Sequence, residues 1–408
     1  MSTSNDDEPT LTVVTRSFPP QVSGSAILIA NLLASYTGKV HALAGYNQDS
    51  KSDPEFQPPC PTRYLVRESL SPRVYGGLTR RFPELMSRLL RGSIRKALTE
   101  LRTNIVLAAF PSDVFLVAGF LAARELQRPI YVYMHDLWIE NKPAGTAAGY
   151  FAERWEPVIL TEATRVLCMT EAMQEHYEAK YNIKTFLMPH SIVEDDLLRA
   201  PVEMRPPRFP KPTVLFVGEV SSDMNLDALR VLASAAELLP HEYELLYCTS
   251  FDLATLSRRG IRSSRLQVKY VSRAEVQRLQ SSVHVLIAPL SHKNCSEDEV
   301  RTVFSTKLLE YLVSGRPIVV FAPKDSYHAK SAQANGWAYV VTEDSPLALA
   351  AAIQKVITDQ DLSGRLVQGA LQEAQRRNAK YHAEQLRNWI RRDAREFAEE
   401  RFALPACG

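Results

Sequence analysis

Apolar residues along this chain fall into two recurring patterns, short unbroken runs and longer stretches at helical spacing, and the two alternate. Unbroken runs bounded by turn residues predict strands buried on both faces, whereas recurrence at i, i+3 and i+4 predicts amphipathic helices. In the first half, residues 11–15, 40–45, 62–66, 103–110, 129–135 and 165–170 read as strands. Helices are expected over 24–36, 78–101, 113–127 and 171–181, and the run 184–189 closes the series. Residues 200–212 then hold five prolines, a composition that resists helix and sheet alike and makes a stiff connector.

A second series follows, with strands at 213–217, 243–248, 266–271, 283–290, 318–321 and 337–341. Helices are expected at 225–239, 273–281, 346–358 and 362–377, and a helical tail at 381–402 carries Trp389, Ile390 and Phe397 as apolar anchors. Alternation of this kind predicts parallel sheets covered on both faces. The proline-rich connector divides the chain into domains 1–200 and 201–378, followed by the terminal segment 379–408.

The segment 304–321, FSTKLLEYLVSGRPIVVF, carries the most specific chemistry. Ser305 and Thr306 are N-capping residue types, and Leu308, Tyr311 and Leu312 form one apolar helical face. Glu310 lies one turn beyond Thr306, so free amides, the Thr306 hydroxyl, the Lys307 ammonium and the Glu310 carboxylate are expected to meet one ligand. A helix start favours anions such as a diphosphate, and an adjacent acid suits the hydroxyls of a ribose. Gly315 ends the helix and Pro317 prevents its restart; an ordinary amphipathic helix with a glycine stop fits the same letters. Gly24, in the loop after the first strand, and Gly218, after the first strand of the second series, are positions for close backbone approach to a ligand. A helix-starting turn residue is the equal alternative for Gly24. His135 and Asp136 fall at the carboxyl end of a strand, the ligand side of an open α/β sheet; a satisfied structural histidine at a strand end is the alternative for His135.

The run Lys307-Leu308-Leu309-Glu310-Tyr311-Leu312-Val313-Ser314-Gly315-Arg316-Pro317 resembles the signature of the GT-B glycosyltransferases, family 4 and its relatives. There a Lys-Leu-x-Glu-Tyr/Ala-x-x-x-Gly-x-Pro segment binds the nucleotide half of a sugar-nucleotide donor. The resemblance implies an α/β protein with two Rossmann-like doubly wound parallel-sheet domains facing across a cleft. Domain 1–200 would take the acceptor, 201–378 the nucleotide sugar, and 379–408 would return to the first domain. It further implies donor contacts from Gly24, Gly218, Glu299, Thr302, Ser305, Thr306, Lys307 and Glu310, catalytic positions at His135 and Asp136, and no metal or other cofactor. Four departures stand out. Ser23-Gly24 replaces a Gly-Gly pair, Glu219, Val220 and Asn225 occupy the region of an Arg and a Lys, His190-Ser191-Ile192 replaces Pro-Asn-Gly-Val, and Thr302 replaces a sugar-gripping Glu. Lys307 and the helix amides are the expected substitutes for the phosphate cations, with Arg301 a further one. Glu299, in a loop with Glu297 and Asp298, is the nearest substitute acid; a solvated loop or a metal-binding motif of the other large glycosyltransferase fold also fits these three. The implied activity is transfer of a sugar from a nucleoside diphosphate to an acceptor hydroxyl, with retention, in glycan or polysaccharide biosynthesis. A sugar-nucleotide epimerase of the same fold and a degenerate nucleotide- or sugar-binding module are the rivals.

Composition narrows the partners. A net charge of +2 gives no global case for nucleic acid. Locally, residues 63–102 hold nine arginines and one lysine against three glutamates, an excess of seven positive charges. That run fits a solvated helix face or contact with anionic lipid or a lipid-linked acceptor. The five cysteines, Cys60, Cys168, Cys248, Cys295 and Cys407, are scattered without a C-x-x-C pair, the pattern of a reducing compartment. The N-terminus is polar and acidic, and the apolar stretch 114–123 falls short of the roughly 20 residues that span a bilayer. A cytoplasmic protein is expected, peripheral at most at the inner face of the membrane.

Overall fold

Two parallel sheets are present, one in each of two units, as the alternation predicts. The computed structural model describes residues 8–45, 52–66, 72–222 and 224–403; Cys407 and, in the basic stretch, Arg67 and Glu68 lie outside the described residues. One unit comprises Met1–Val193 with Ala379–Gly408, and the other Glu194–Asn378.

In the first unit β1 (Leu11–Thr15), β2 (Val40–Ala44), β3 (Thr62–Tyr64), β4 (Ile105–Phe110), β5 (Ile130–Met134), β6 (Arg165–Cys168) and β7 (Thr185–Leu187) pair in the order β3-β2-β1-β4-β5-β6-β7. In the second, β8 (Thr213–Val217), β9 (Glu244–Cys248), β10 (Leu266–Lys269), β11 (Val285–Pro289), β12 (Ile318–Phe321) and β13 (Tyr339–Val341) pair in the order β10-β9-β8-β11-β12-β13. The central strands β1, β4, β5, β8 and β11 are buried along their whole length, which is why they read as unbroken apolar runs. Each order reverses once, between β1 and β4 and between β8 and β11, and the crevice beyond the strand carboxyl ends at such a point is where open α/β sheets hold ligands.

Several elements differ from the sequence expectation. The helix expected over 78–101 is two, Pro72–Arg81 and Pro83–Glu100, because Phe82 precedes a proline and leaves the helical region at φ −133°, ψ 55°. The acidic residues expected in a loop form the helix Glu297–Thr302, started by Ser296, whose hydroxyl accepts from the Glu299 amide. Helices Ala147–Glu162, Leu253–Arg258 and Tyr327–Asn335, which periodicity did not announce, are each opened by a side-chain cap from Thr146, Asp252 or Ser326.

The terminal helix Ala379–Ala403 packs within the first unit, with Leu386 and Ile390 fully buried in the core beneath β1, β4 and β5. A bidentate pair fixes it: Arg165 on β6 donates through Nε to Asp393 Oδ2 at 2.6 Å and through Nη2 to Oδ1 at 2.8 Å. Tyr131 on β5 donates to the same carboxylate, and the guanidinium lies 4.3 Å from the Phe186 ring centroid and 5.4 Å from that of Trp389. Both partners are almost fully buried, so removing one leaves an uncompensated charge.

Asp393→Ala is therefore expected to cost about 3–5 kcal/mol of stability, read by urea unfolding. Adding Arg165→Met to Asp393→Ala should restore part of the loss, and simple additivity of the two would refute the pairing. Burial alone would raise the Asp393 carboxyl, but hydrogen bonds from Arg165 and Tyr131 hold it below its ordinary value. Its contribution is thus complete above the ordinary carboxylate pKa of about 4 and disappears as pH falls through the folded-state value.

Candidate functional site

In the second unit the site grows from the carboxyl end of β8. Gly218 follows the strand at φ +133°, outside the range of other residues, and its amide donates to the Cys248 carbonyl at 2.9 Å. A Cβ at this position would stand 2.7 Å from Lys307 Nζ, so the missing side chain makes room for an ammonium against the backbone. Lys307 Nζ also lies 4.6 Å from the Phe216 ring centroid. Burial pushes this ammonium down to about 8, against the opposing pull of the Glu219 and Glu310 carboxylates. Two unpredicted side chains orient those acids. Ser250 donates to Glu219 Oε2 at 2.6 Å, and the buried Gln280 donates through Nε2 to Glu310 Oε2 at 2.8 Å.

The signature helix is shorter than expected, Lys307–Leu312, and begins differently. Thr306 is itself helical at φ −58°, ψ −31°, and makes no side-chain cap; the chain enters through a backbone turn, Leu308 N to Ser305 O at 3.0 Å and Leu309 N to Thr306 O at 3.2 Å. The Ser305 amide is not open to an anion, because it donates to His328 Nε2 at 3.0 Å. Burial, with Lys307 and Arg377 adding to it, pushes His328 down to about 3, so the ring is neutral and its Nε2 is the accepting nitrogen. Phe304 packs edge-on against His328 and lies 3.7 Å beneath the Arg377 guanidinium, while Tyr311 accepts from the Val217 amide and binds the helix to β8. Lys307 and Glu310 thus share an electrostatic site with Gly218, and the amide cluster expected at Ser305 and Thr306 is reduced.

Glu299 lies in the first turn of the helix Glu297–Thr302, and the buried Thr302 donates its hydroxyl to the Asp298 carbonyl at 2.8 Å, within the helix. Arg301 is exposed on that helix, 3.7 Å from Asp298. Among the described residues no three carboxylate, histidine or cysteine side chains gather as metal ligands.

In the first unit the corresponding strand ends carry His135 and Asp136. His135 is buried after β5; its Nδ1 lies 2.8 Å from the hydroxyl of Ser25, a contact no local sequence signal announces. Its Nε2 is buried without a hydrogen-bond partner among the described residues. Burial pushes the ring down to about 3, and its edge-on neighbours are Tyr133 at 4.3 Å and His190 at 5.9 Å between centroids. His190, named above only as a departure from the family's letters, is therefore the second imidazole of this cluster. Burial raises the Asp136 carboxyl to about 6, with Lys142 opposing. Gly24 is the exposed first residue of the helix Gly24–Ala34, which Ser23 caps through the Ala26 amide at 3.2 Å. It belongs to the left-handed set at no point, and sits one residue before the Ser25 that holds His135.

These two sites coincide with two sequence matches. Residues 23–185 match the Glycosyl transferase 4-like domain, and residues 211–359 match Glycosyl transferases group 1. No curated protein matches the chain significantly by sequence. Among solved structures, sucrose-phosphate synthase from Thermosynechococcus elongatus is similar at a TM-score of 0.69 and 16% identity, over 94% of this chain and 98% of that one. HepE of Anabaena in complex with UDP is similar at 0.64 and 14% identity, over 94% and 99%. A UDP-N-acetylglucosamine 2-epimerase assigned as such in Listeria monocytogenes shares the fold at 0.59 and 12% identity, over 93% and 96%. With both halves matched and both sheets doubly wound, the chain belongs to the group 1, family 4-like glycosyltransferases of the GT-B fold.

Proposed function

We propose that this glycosyltransferase moves a sugar from a nucleoside-diphosphate donor to an acceptor hydroxyl, with retention, in glycan or polysaccharide assembly. The observation that carries the reading is the desolvated Lys307 ammonium lying against Gly218 and within the field of Glu310. A departing diphosphate needs positive charge at the moment the glycosidic bond breaks, and a half-buried cation already held against the backbone supplies it with little reorganisation. Glu310, held by Gln280, takes the ribose hydroxyls. Glu299 takes the donor sugar's hydroxyls in place of the acid that Thr302 lacks. In the first unit, neutral His135 acts as a hydrogen-bonding group whose orientation Ser25 fixes, and Asp136 orients the acceptor hydroxyl. The acceptor oxygen bonds to the anomeric carbon, the carbon–diphosphate bond breaks on the same face, and the hydroxyl proton leaves with the diphosphate. No metal is called on.

The acceptor side carries a further feature. Of the basic residues in 63–102, Arg63, Arg88, Arg91, Arg95 and Lys96 pair with Glu100, Glu84 or Glu125, and of these acids Glu125 alone lies outside the stretch and lowers the excess, from seven to six. What the letters did not show is that Leu78, Phe82, Leu85 and Leu89 are exposed along the same two helices, near Arg80 and Arg81. Exposed apolar side chains flanked by arginine suit the headgroup boundary of an anionic bilayer, and we assign a lipid-linked acceptor on that basis. No helix among the described residues is long and apolar enough to cross a membrane.

Four measurements test this. Incubation with a panel of nucleoside-diphosphate sugars should release free diphosphate slowly, and an acceptor should accelerate release; isomerised nucleotide sugar without acceptor dependence would identify an epimerase instead. Glu310→Ala should raise the donor KM at least about tenfold, the loss of one hydrogen bond to a charged group, and an unchanged KM counts against the site. Because the Lys307 cation is lost as pH rises through about 8, donor kcat/KM should fall above that pH, and Lys307→Gln should abolish the alkaline limb. Finally, the chain should sediment with phosphatidylglycerol vesicles, and Phe82→Asp with Leu85→Asp should release it while leaving turnover of a soluble acceptor in place.

A further inference from the structure

The second unit contains a cavity of about 230 Å³ that borders the proposed donor site through Glu310 and Gln280 but is lined by neither Lys307 nor Gly218. Arg199, Arg205, Arg208, Arg278 and Arg316 line it, drawn from the connector, from the end of the helix Arg273–Gln280 and from the turn into β12. Among the described residues the carboxylates on its wall are Asp196 and Glu310, so this lining carries an excess of three positive charges. Arg199 pairs with Asp195. Arg205, Arg208, Arg278 and Arg316 form no ion pair among the described residues.

Arg316 is the centre of this arrangement. It is only 2% exposed, and its guanidinium donates to two backbone carbonyls, Ser281 O through Nε and Pro206 O through Nη2, both at 2.9 Å. Ser281 caps the helix Arg273–Gln280, so the carbonyl end of that helix offsets part of the charge. Partial compensation by carbonyls is far weaker than a carboxylate, and a buried cation without a counter-charge costs several kcal/mol. Burial and the nearby Arg208 guanidinium together lower Arg316 to about 10, the direction expected of a charge that the protein alone does not neutralise.

We infer that this cavity is a binding site for a soluble phosphate-bearing anion, separate from the diphosphate position at Lys307. Planar guanidinium groups in several orientations match the tetrahedral oxygens of a phosphate, and one such group already fixed by two carbonyls loses little entropy on binding. The volume holds a phosphate with several waters, each water occupying about 30 Å³. The five arginines come from three sequence-distant segments, so the site exists only in the folded unit.

The test is calorimetric titration of inorganic phosphate into the full chain, at ionic strength held constant with chloride. Phosphate should bind, and Arg205→Ala with Arg208→Ala, both at exposed positions, should weaken it by about tenfold or more, the loss of at least one charge-assisted hydrogen bond. Lys307→Ala should leave phosphate binding within about twofold of the unaltered chain, since that ammonium is not part of the cavity wall. Arg316→Lys, which keeps the charge and loses the fork, should also weaken binding. The inference is overturned if the unaltered chain takes up no phosphate, or if Lys307→Ala weakens binding as much as the arginine pair does. It is equally overturned if the arginines are needed to bind phosphatidylglycerol vesicles while phosphate itself is not held, which would make the patch a membrane contact.

Discussion

An ammonium pressed against a bare stretch of backbone is the constraint on which the second unit's site depends. Lys307 approaches Gly218 so closely that any Cβ there would meet Nζ, and Gly218 adopts a backbone conformation that side-chain-bearing residues avoid. The position of each is explained only by the other. β8 delivers Gly218 at the reversal of strand order, and Tyr311, by accepting from Val217, fastens the signature helix beside it. The consequence is a cation stripped of much of its hydration yet facing two carboxylates, a state that an incoming anion relieves.

A buried neutral imidazole occurs in each unit. His135 and His328 are each driven by burial to about 3, so neither carries charge near neutral pH. A ring of that kind is a poor proton shuttle and a well-defined hydrogen-bonding group, with one nitrogen donating and the other accepting. His328 uses that property to hold the Ser305 amide and shape the turn into the signature helix. His135 uses one nitrogen on Ser25 and leaves the other buried without a partner among the described residues, an arrangement suited to a ligand hydroxyl. The departures from the family's letters are read in this light. Where an Arg and a Lys are absent after Gly218, the Lys307 ammonium lies against that glycine.

Two corrections came from short elements. The acids 297–299 looked like a loop because three charged residues in a row carry no apolar period; in the fold Ser296 caps them into one and a half turns of helix. The caps expected at Ser305 and Thr306 failed for a related reason. A six-residue helix can be entered through a backbone turn, and a histidine more than twenty residues away in sequence took the amide that a side chain was expected to free. Likewise, the charge count over 63–102 left out one acid, Glu125, which pairs with Arg91 and Arg95 from another helix.

The sequence by itself determined the two parallel sheets, the fold family and the segment around Lys307 and Glu310, because burial on both faces writes unbroken apolar runs and the signature helix writes its charged residues at fixed spacing. Only the tertiary structure decided which groups meet. Ser25 reaches His135 across 110 positions, Gln280 reaches Glu310 across 30, and Arg165 reaches Asp393 across 228. Such pairs leave no periodic trace, since a hydrogen bond between distant segments is fixed by strand order and helix packing rather than by the residues beside it in the chain.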